Sequence, residues 1–202
     1  MIKLKDIIIY GNGGHAKVVK TACKDNYVVK GQFDDSITEE GVENGVWKGR
    51  YDHSKFEMVK LIVAIGDNGV RKKIVSKVKH RFTSIIAKTA IIEESVVIGE
   101  GGMILQGSIV QVDTKLGKHV IVNTGASIDH DCQIGDFVHI APGSVLCGNV
   151  SVGQGTLIGA RSVVLPGVSI GQNVKVGAGT VVHRNVPDGA TVVGNPGRII
   201  SN

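Results

Sequence analysis

Between residues 86 and 182 an aliphatic residue recurs at every sixth position without exception. The series runs from Ile86, Ile92, Ile98, Ile104, Val110 and Leu116 to Val176 and Val182. From Ile98 onward, a small or β-branched residue stands two positions before each member, among them Val96, Gly102, Ser108, Thr114, Cys132 and Thr180. Strand residues alternate faces, so positions two apart point the same way. A period of six therefore describes a short strand, a bend and another short strand, with both marked positions inside. A helix cannot do this, because six residues make about 1.67 turns and the aliphatic positions would walk around its surface. The pattern predicts a parallel β-helix, a coil with three flat faces per turn. An 18-residue coil shows independently in Ile98-Gly99, Leu116-Gly117, Ile134-Gly135, Val152-Gly153 and Ile170-Gly171. Glycine at that point predicts a bend where a Cβ would be crowded.

Before Ile86 the pattern changes. Residues 6–10 read as a short buried strand, followed by the loop Gly11-Asn12-Gly13-Gly14-His15. Residues 16–25 read as a helix with Val18, Val19 and Ala22 on its inner side, and 27–33 as a second strand ending at Asp34-Asp35. After a variable stretch, Leu61–Ile65 forms a third strand, and 69–80 a helix with its basic residues exposed. Strands alternating with helices make a small parallel α/β unit. Two domains follow: a Rossmann-like unit over 1–82, and the β-helix with its tail over 83–202. No Gly/Ser linker separates them, which predicts firm packing. After Val182, Val186-Pro187-Asp188-Gly189 is expected to turn out of the prism.

Composition narrows the field. Aromatics are only 4% of the 202 residues, as expected of a narrow prism filled by Ile, Val and Leu. A net charge of +5 favours acidic partners, but the basic residues are scattered and aromatic stacking platforms are scarce. Phosphorylated small molecules fit better than nucleic acid. Apolar runs are too short for a spanning helix, and the N-terminal run leads into the glycine loop, so no membrane insertion is expected. Three cysteines lack metal-ligand spacing, and a reducing cytoplasm is the expected compartment.

The glycine loop follows a strand and opens a helix, a setting in which backbone N–H groups bind phosphate. Asp34-Asp35 lies about 20 residues on, where an acid at a strand end can bond a ribose or base. Within the prism, His130 and His139 occupy neither inward position. His130 stands between Asp129 and Asp131, and a carboxylate can orient an imidazole and raise its basicity. His139 is half a coil further on, so the two histidines of one prism should face different sides and meet only across subunits. Gly148 is one full coil after His130 and should stack beneath it at about 4.8 Å.

The hexads, together with IYGNGGHAKVV and AIGDNGVRKKI, resemble bacterial sugar O- and N-acetyltransferases of the left-handed β-helix superfamily. The likeness is greatest to nucleotide-aminosugar N-acetyltransferases of bacillosamine and perosamine synthesis, alongside sialic acid O-acetyltransferases. The resemblance implies an α/β N-terminal Rossmann-like domain followed by a left-handed parallel β-helix. It implies acetyl-CoA as co-substrate, a nucleotide sugar as acceptor, no metal, and a homotrimer with sites between subunits. The catalytic base falls on His130, oriented by Asp131 where the family often has Glu. Acetyl-CoA contacts fall on His139, Gly148, Ala160 and Ala178. Nucleotide-sugar contacts fall on Gly13, Gly14, His15, Asp34, Asp35 and Gly66. O-acetylation of a sialic acid is the alternative the residues leave open. A zinc site built on His119, His130 and His139 fits poorly, since these positions step around the prism.

Overall fold

The computed structural model describes residues 4–201. Its first part is a five-stranded sheet with two helices. β1 (Lys5–Tyr10) lies between β2 (Tyr27–Phe33) and β5 (Lys60–Val63), parallel to both. β4 (Val46–Gly49) pairs parallel to β2, and β3 (Gly41–Glu43) closes the edge antiparallel to β4. The variable stretch thus holds two strands that its weak apolar content concealed. The core strands carry Ile7, Ile8, Ile9, Leu61 and Ile62 with no exposed surface, as expected of a parallel sheet covered on both faces.

α1 (Gly14–Cys23) covers one face of the sheet through Ala16, Val19, Ala22 and Cys23. Val18, expected on that inner side, is 37% exposed. α2 (Asn68–Val75) is shorter than the predicted 69–80 and is capped by the Asp67 carboxylate, which accepts the Val70 N–H. Its residue Arg71, expected outside among the basic residues, has no exposed surface at all.

From Ile85 the chain winds as a parallel β-helix of two-residue strands. Face one carries strands such as Met103–Ile104, Ile121–Val122, His139–Ile140, Leu157–Ile158 and Lys175–Val176. Face two carries Ile109–Val110, Ser127–Ile128, Val145–Leu146 and Val163–Val164, and face three Lys115–Leu116, Gln133–Ile134 and Ser151–Val152. Partners in each ladder are 18 residues apart, as in Leu116↔Ile134 and His139↔Leu157. The hexad residues from Ile104 to Val182 form one continuous core. Ile92 and Ile98 are half-buried against it and Ile86 is 40% exposed, because these three lie at the open end of the coil. The hydroxyls at the small inward positions are satisfied: Thr114, Ser144 and Thr156 each donate to a carbonyl 15 residues on.

Two kinds of position make the corners. Glycines of the Ile-Gly type are needed for space: a Cβ on Gly153 would lie 2.5 Å from the Gly171 carbonyl carbon. The left-handed backbone falls elsewhere, two residues later, at every sixth position from Gly101 to Gly179. Most of these are Gly, Asn or Asp, which tolerate positive φ. His119 (φ 55°), Phe137 (φ 58°) and Arg161 (φ 55°) are the exceptions.

The tail does not leave the prism at Val186. Val186 bridges Ile170, and Ala190 and Val192 join the core. Thr191 pairs with Lys175 at a spacing of 16 rather than 18, so two residues are dropped and one more turn is completed. Thr191–Val193 then pairs antiparallel with the final strand, Arg198–Ser201. The two domains share a core in which Ile7, Ile62 and Val19 join Ile85, Met103, Leu105 and Ile121 of face one. Face one is therefore the seat of the first domain.

Candidate active site

The first cluster is at the corner between faces two and three. Asp131, in the left-handed region with φ 59°, turns its carboxylate back so that Oδ2 lies 2.8 Å from His130 Nδ1. A carboxylate only accepts, so Nδ1 carries the proton and neutral His130 keeps its lone pair on Nε2. Asp129 Oδ1 accepts the His130 backbone N–H at 2.8 Å, fixing the approach from the other side. The hydrogen bond to Asp131, reinforced by the charge of Asp129, raises the His130 pKa above its ordinary 6.5.

The ring lies over Gly148, where a Cβ would sit 2.5 Å from His130 Cε1 and Nε2. Among the described residues no backbone carbonyl is paired with the Gly148 N–H. Asp129, His130, Cys147, Gly148 and Asn149 line an open groove here of about 520 Å³. A lone pair on one rung and a free N–H on the next can remove a proton and steady an oxyanion at neighbouring points.

The second cluster is at the seam between the domains. Gly11, at φ 127°, has only 2.8 Å between a would-be Cβ and Ala64 O, so glycine is required there. Gly13 caps α1 without a side-chain hydrogen bond, and nothing lies within 4 Å of a Cβ on Gly13 or Gly14. The loop thus offers unfilled backbone donors beside open space. The two aspartates differ. Asp34 accepts Asn12 N at 2.7 Å on one oxygen and Ser36 N at 2.9 Å on the other, which makes it a loop staple. Asp35 accepts the Tyr10 hydroxyl at 2.6 Å through Oδ1 and is otherwise exposed.

His15 and Gly66 meet His139 at this seam, with the two histidine rings 6.2 Å apart. His139 Nδ1 is 3.0 Å from Gly66 O, and its Nε2 is 3.0 Å from Asn123 Nδ2. Burial, with the charge of Arg71 nearby, pushes His139 and His15 down to about 4, so both are neutral near pH 7. A cleft of about 530 Å³ opens from Gly66 and His139 past Asp67 and Asn68 to Leu157 and Lys175.

The structure therefore sorts the predicted residues into two sets. His130, Asp131 and Gly148 stand together, and His15, Gly66 and His139 stand together elsewhere. Ala160 and Ala178 lie at the corner between faces one and two, on the far side of face two from His130. His119 belongs to neither set: it is buried between Phe82 and Phe137, with ring centroids at 4.7 and 5.1 Å. Among the described residues no three His, Cys, Asp or Glu side chains converge as a metal site.

Three participants escaped the sequence reading: Arg71, Asn68 and Asn123. Arg71 and Asn68 tie the domains together, Asn68 Nδ2 donating to Gly155 O at 2.9 Å. Asn123 had a legible signal, since it is the one polar residue in a face-one column otherwise made of Ala87, Leu105, Ala141, Gly159 and Gly177. Arg71 had none, standing before two exposed lysines.

Comparison with known proteins agrees with this anatomy. Residues 6–78 match the PglD N-terminal domain, 113–148 the bacterial transferase hexapeptide family (six repeats), and 149–184 the hexapeptide repeat of succinyl-transferase. The acetyltransferase domain of PglB from Neisseria gonorrhoeae, solved with acetyl coenzyme A, is 31% identical with a TM-score of 0.88, covering 98% of this chain and 100% of that one. PerB from Caulobacter crescentus, solved with CoA and GDP-perosamine, is 35% identical with a TM-score of 0.89, covering 98% of each chain. A UDP-N-acetylbacillosamine N-acetyltransferase of Bacillus subtilis is 38% identical over 114 residues, which are 50% of this chain and 52% of that protein. The match thus spans about half of that curated relative, and 22% of a mimivirus protein that is 38% identical over 108 residues. The chain belongs to the hexapeptide-repeat sugar acetyltransferases, and within them to the group that carries a PglD-type N-terminal domain.

Proposed function

We propose that this protein transfers an acetyl group from acetyl-CoA to the amino group of a nucleotide-linked aminosugar. The observation that carries the reading is the stacking of His130 over Gly148 in a chain that superimposes along its length on a relative solved with CoA and GDP-perosamine. Residues 1–82 hold the nucleotide sugar through Gly13, Gly14, His15, Asp35 and Gly66, with Asp34 bracing the loop. Residues 83–202 carry the transfer.

The chemistry needs a base beside an electrophile. The amine nitrogen attacks the thioester carbonyl carbon while neutral His130 takes a proton from it at Nε2. Negative charge gathers on the carbonyl oxygen, where the Gly148 N–H donates. The C–S bond then breaks, and the departing CoA sulfur recovers the proton from His130. Asp131 holds the imidazole in the required tautomer throughout. Structures of the Caulobacter enzyme with a histidine replaced by Asn or Ala retain both CoA and GDP-perosamine, which supports a histidine acting in the reaction rather than in binding.

Assembly supplies the missing half of each site. Outward positions on face two are mostly aliphatic: Ile91, Ile109, Val145, Val163 and Val181. Those on face three include Lys115, Gln133, Ser151 and Ser169, and face one is already covered. Packing face two around a three-fold axis buries that aliphatic column. It also sets the His130–Gly148 corner of one subunit against the corner of the next that bears Asn123, Ala160 and Ala178, with His139 behind it. The test is release of CoA thiol with a panel of UDP- and GDP-linked aminosugars, with sialic acid as the hydroxyl comparator. Amide product from a nucleotide aminosugar is expected; ester product from sialic acid alone would replace N-acetylation by O-acetylation.

A further inference from the structure

Arg71 is a buried cation held, among the described residues, by neutral acceptors. Its Nε donates to His119 O at 3.0 Å, and Nη1 reaches Ile65 O at 3.0 Å and Gly66 O at 3.2 Å. Nη2 reaches Asn68 Oδ1 at 2.8 Å and Phe137 O at 2.9 Å. A guanidinium has five N–H donors, and each here has its own neutral acceptor. Burial brings Arg71 down to about 10, so it stays charged at neutral pH.

These acceptors are not an arbitrary set. His119 O and Phe137 O belong to two of the three bulky residues at left-handed corners, and the rings of these two stack on each other at 14°. Holding a non-glycine residue in that region costs roughly 1–2 kcal/mol, so these corners need support. Ile65 and Gly66 form the end of the strand path that delivers the seam loop. Gly66 O is shared: it takes Arg71 Nη1 and also lies 3.0 Å from His139 Nδ1.

The tautomer of His139 follows from those contacts. A carbonyl cannot donate, so Nδ1 must carry the proton. Asn123 Oδ1 accepts the Thr124 N–H at 2.8 Å, which turns the amide so that Nδ2 donates to His139 Nε2. We infer that Arg71 is a positioning residue, which fixes His139 in its Nδ1–H form across the domain seam by anchoring the Gly66 carbonyl. Lysine could not replace it, having three donors and no planar fork. The consequence for transfer rests on the function proposed above, in which His139 faces the acetyl-CoA site.

Two measurements test it. Ring-nitrogen NMR on the intact protein with 15N-histidine, the His139 signals identified by loss in His139→Gln, reads the tautomer directly. The expected result is Nδ1–H in the wild type at pH 7 and loss of that preference in Arg71→Gln. Nε2–H in the wild type, or an unchanged tautomer in Arg71→Gln, would overturn the proposal. In a folded Arg71→Gln protein, acetyl transfer should fall on the order of tenfold to a hundredfold in kcat/KM. The double variant with His139→Gln should be no worse than His139→Gln alone. Additive losses would show that Arg71 acts on stability rather than through His139. If the wild type transfers no acetyl group to any aminosugar, the proposed function falls, while the NMR result still decides the role of Arg71. If Arg71→Gln does not fold, the same comparison is made on Arg71→Lys, which keeps the charge but loses the fork: loss of the Nδ1–H preference is expected, and an unchanged tautomer would overturn the proposal.

Discussion

His130 lies so closely over Gly148 that a methyl group on the glycine would sit 2.5 Å from the imidazole Nε2. Gly148 is not at positive φ, so alanine there meets no backbone penalty; the clash is with the ring alone. Gly148→Ala is therefore expected to keep its melting temperature within a few degrees while kcat falls by about a hundredfold, from displacement of His130. Thermal unfolding and steady-state assay of the same preparation check this pair of outcomes.

Removing the proposed base should cost more. His130→Ala is expected to lower kcat by roughly 10²–10⁴-fold with little change in acetyl-CoA affinity, measured by titration calorimetry. The sign of the pH dependence follows from the raised pKa. Below it the ring is protonated and cannot take the amine proton, so rate should climb with pH through a midpoint above 6.5. Asp131→Asn removes the main cause of the shift and should move that midpoint down.

The two aspartates after β2 should separate into different phenotypes. Asp35→Ala is expected to raise the KM for the nucleotide sugar and leave that for acetyl-CoA nearly unchanged. Asp34→Ala strips acceptors from Asn12 N and Ser36 N, which should lower stability by about 1–3 kcal/mol as well. Denaturant unfolding beside substrate kinetics distinguishes them.

Much of the prism was legible because its steric demands are periodic. An inward Ile or Val at every sixth position has no other explanation, and the stacking of Gly148 under His130 follows from the coil length. The seam was not legible. Arg71 is buried because five acceptors from two distant segments close around it, and no local pattern records that. The left-handed corners were not legible for a related reason: the recurring Ile-Gly glycines mark crowding, whereas positive φ falls two residues later and is filled by Asp131, His119 and Phe137 as well as by glycine. The last turn escaped because two residues are dropped from its register, taking Val186 and Val192 off the hexad grid.

Acid should loosen the seam. Burial holds His15, His119 and His139 near 4, against 6.5 when exposed. Between those values the unfolded chain binds more protons than the folded one, so stability falls as pH drops from about 6.5 toward 4 and is fully present above that range. Urea midpoints at pH 7.5 and pH 5 should differ accordingly. His119→Asn, which keeps a residue tolerant of positive φ, should lessen the difference.

In the proposed trimer, one working site needs His130 from one subunit and His139 from its neighbour. Neither His130→Ala nor His139→Ala homotrimers should turn over nucleotide aminosugar at a wild-type rate. Unfolding the two inactive proteins together and refolding them yields mixed trimers, in which some interfaces retain both histidines. Acetyl transfer to the aminosugar should then reappear, at a fraction of the wild-type rate set by the number of intact interfaces. No recovery, with mass spectrometry showing that the chains have exchanged, would contradict the shared site.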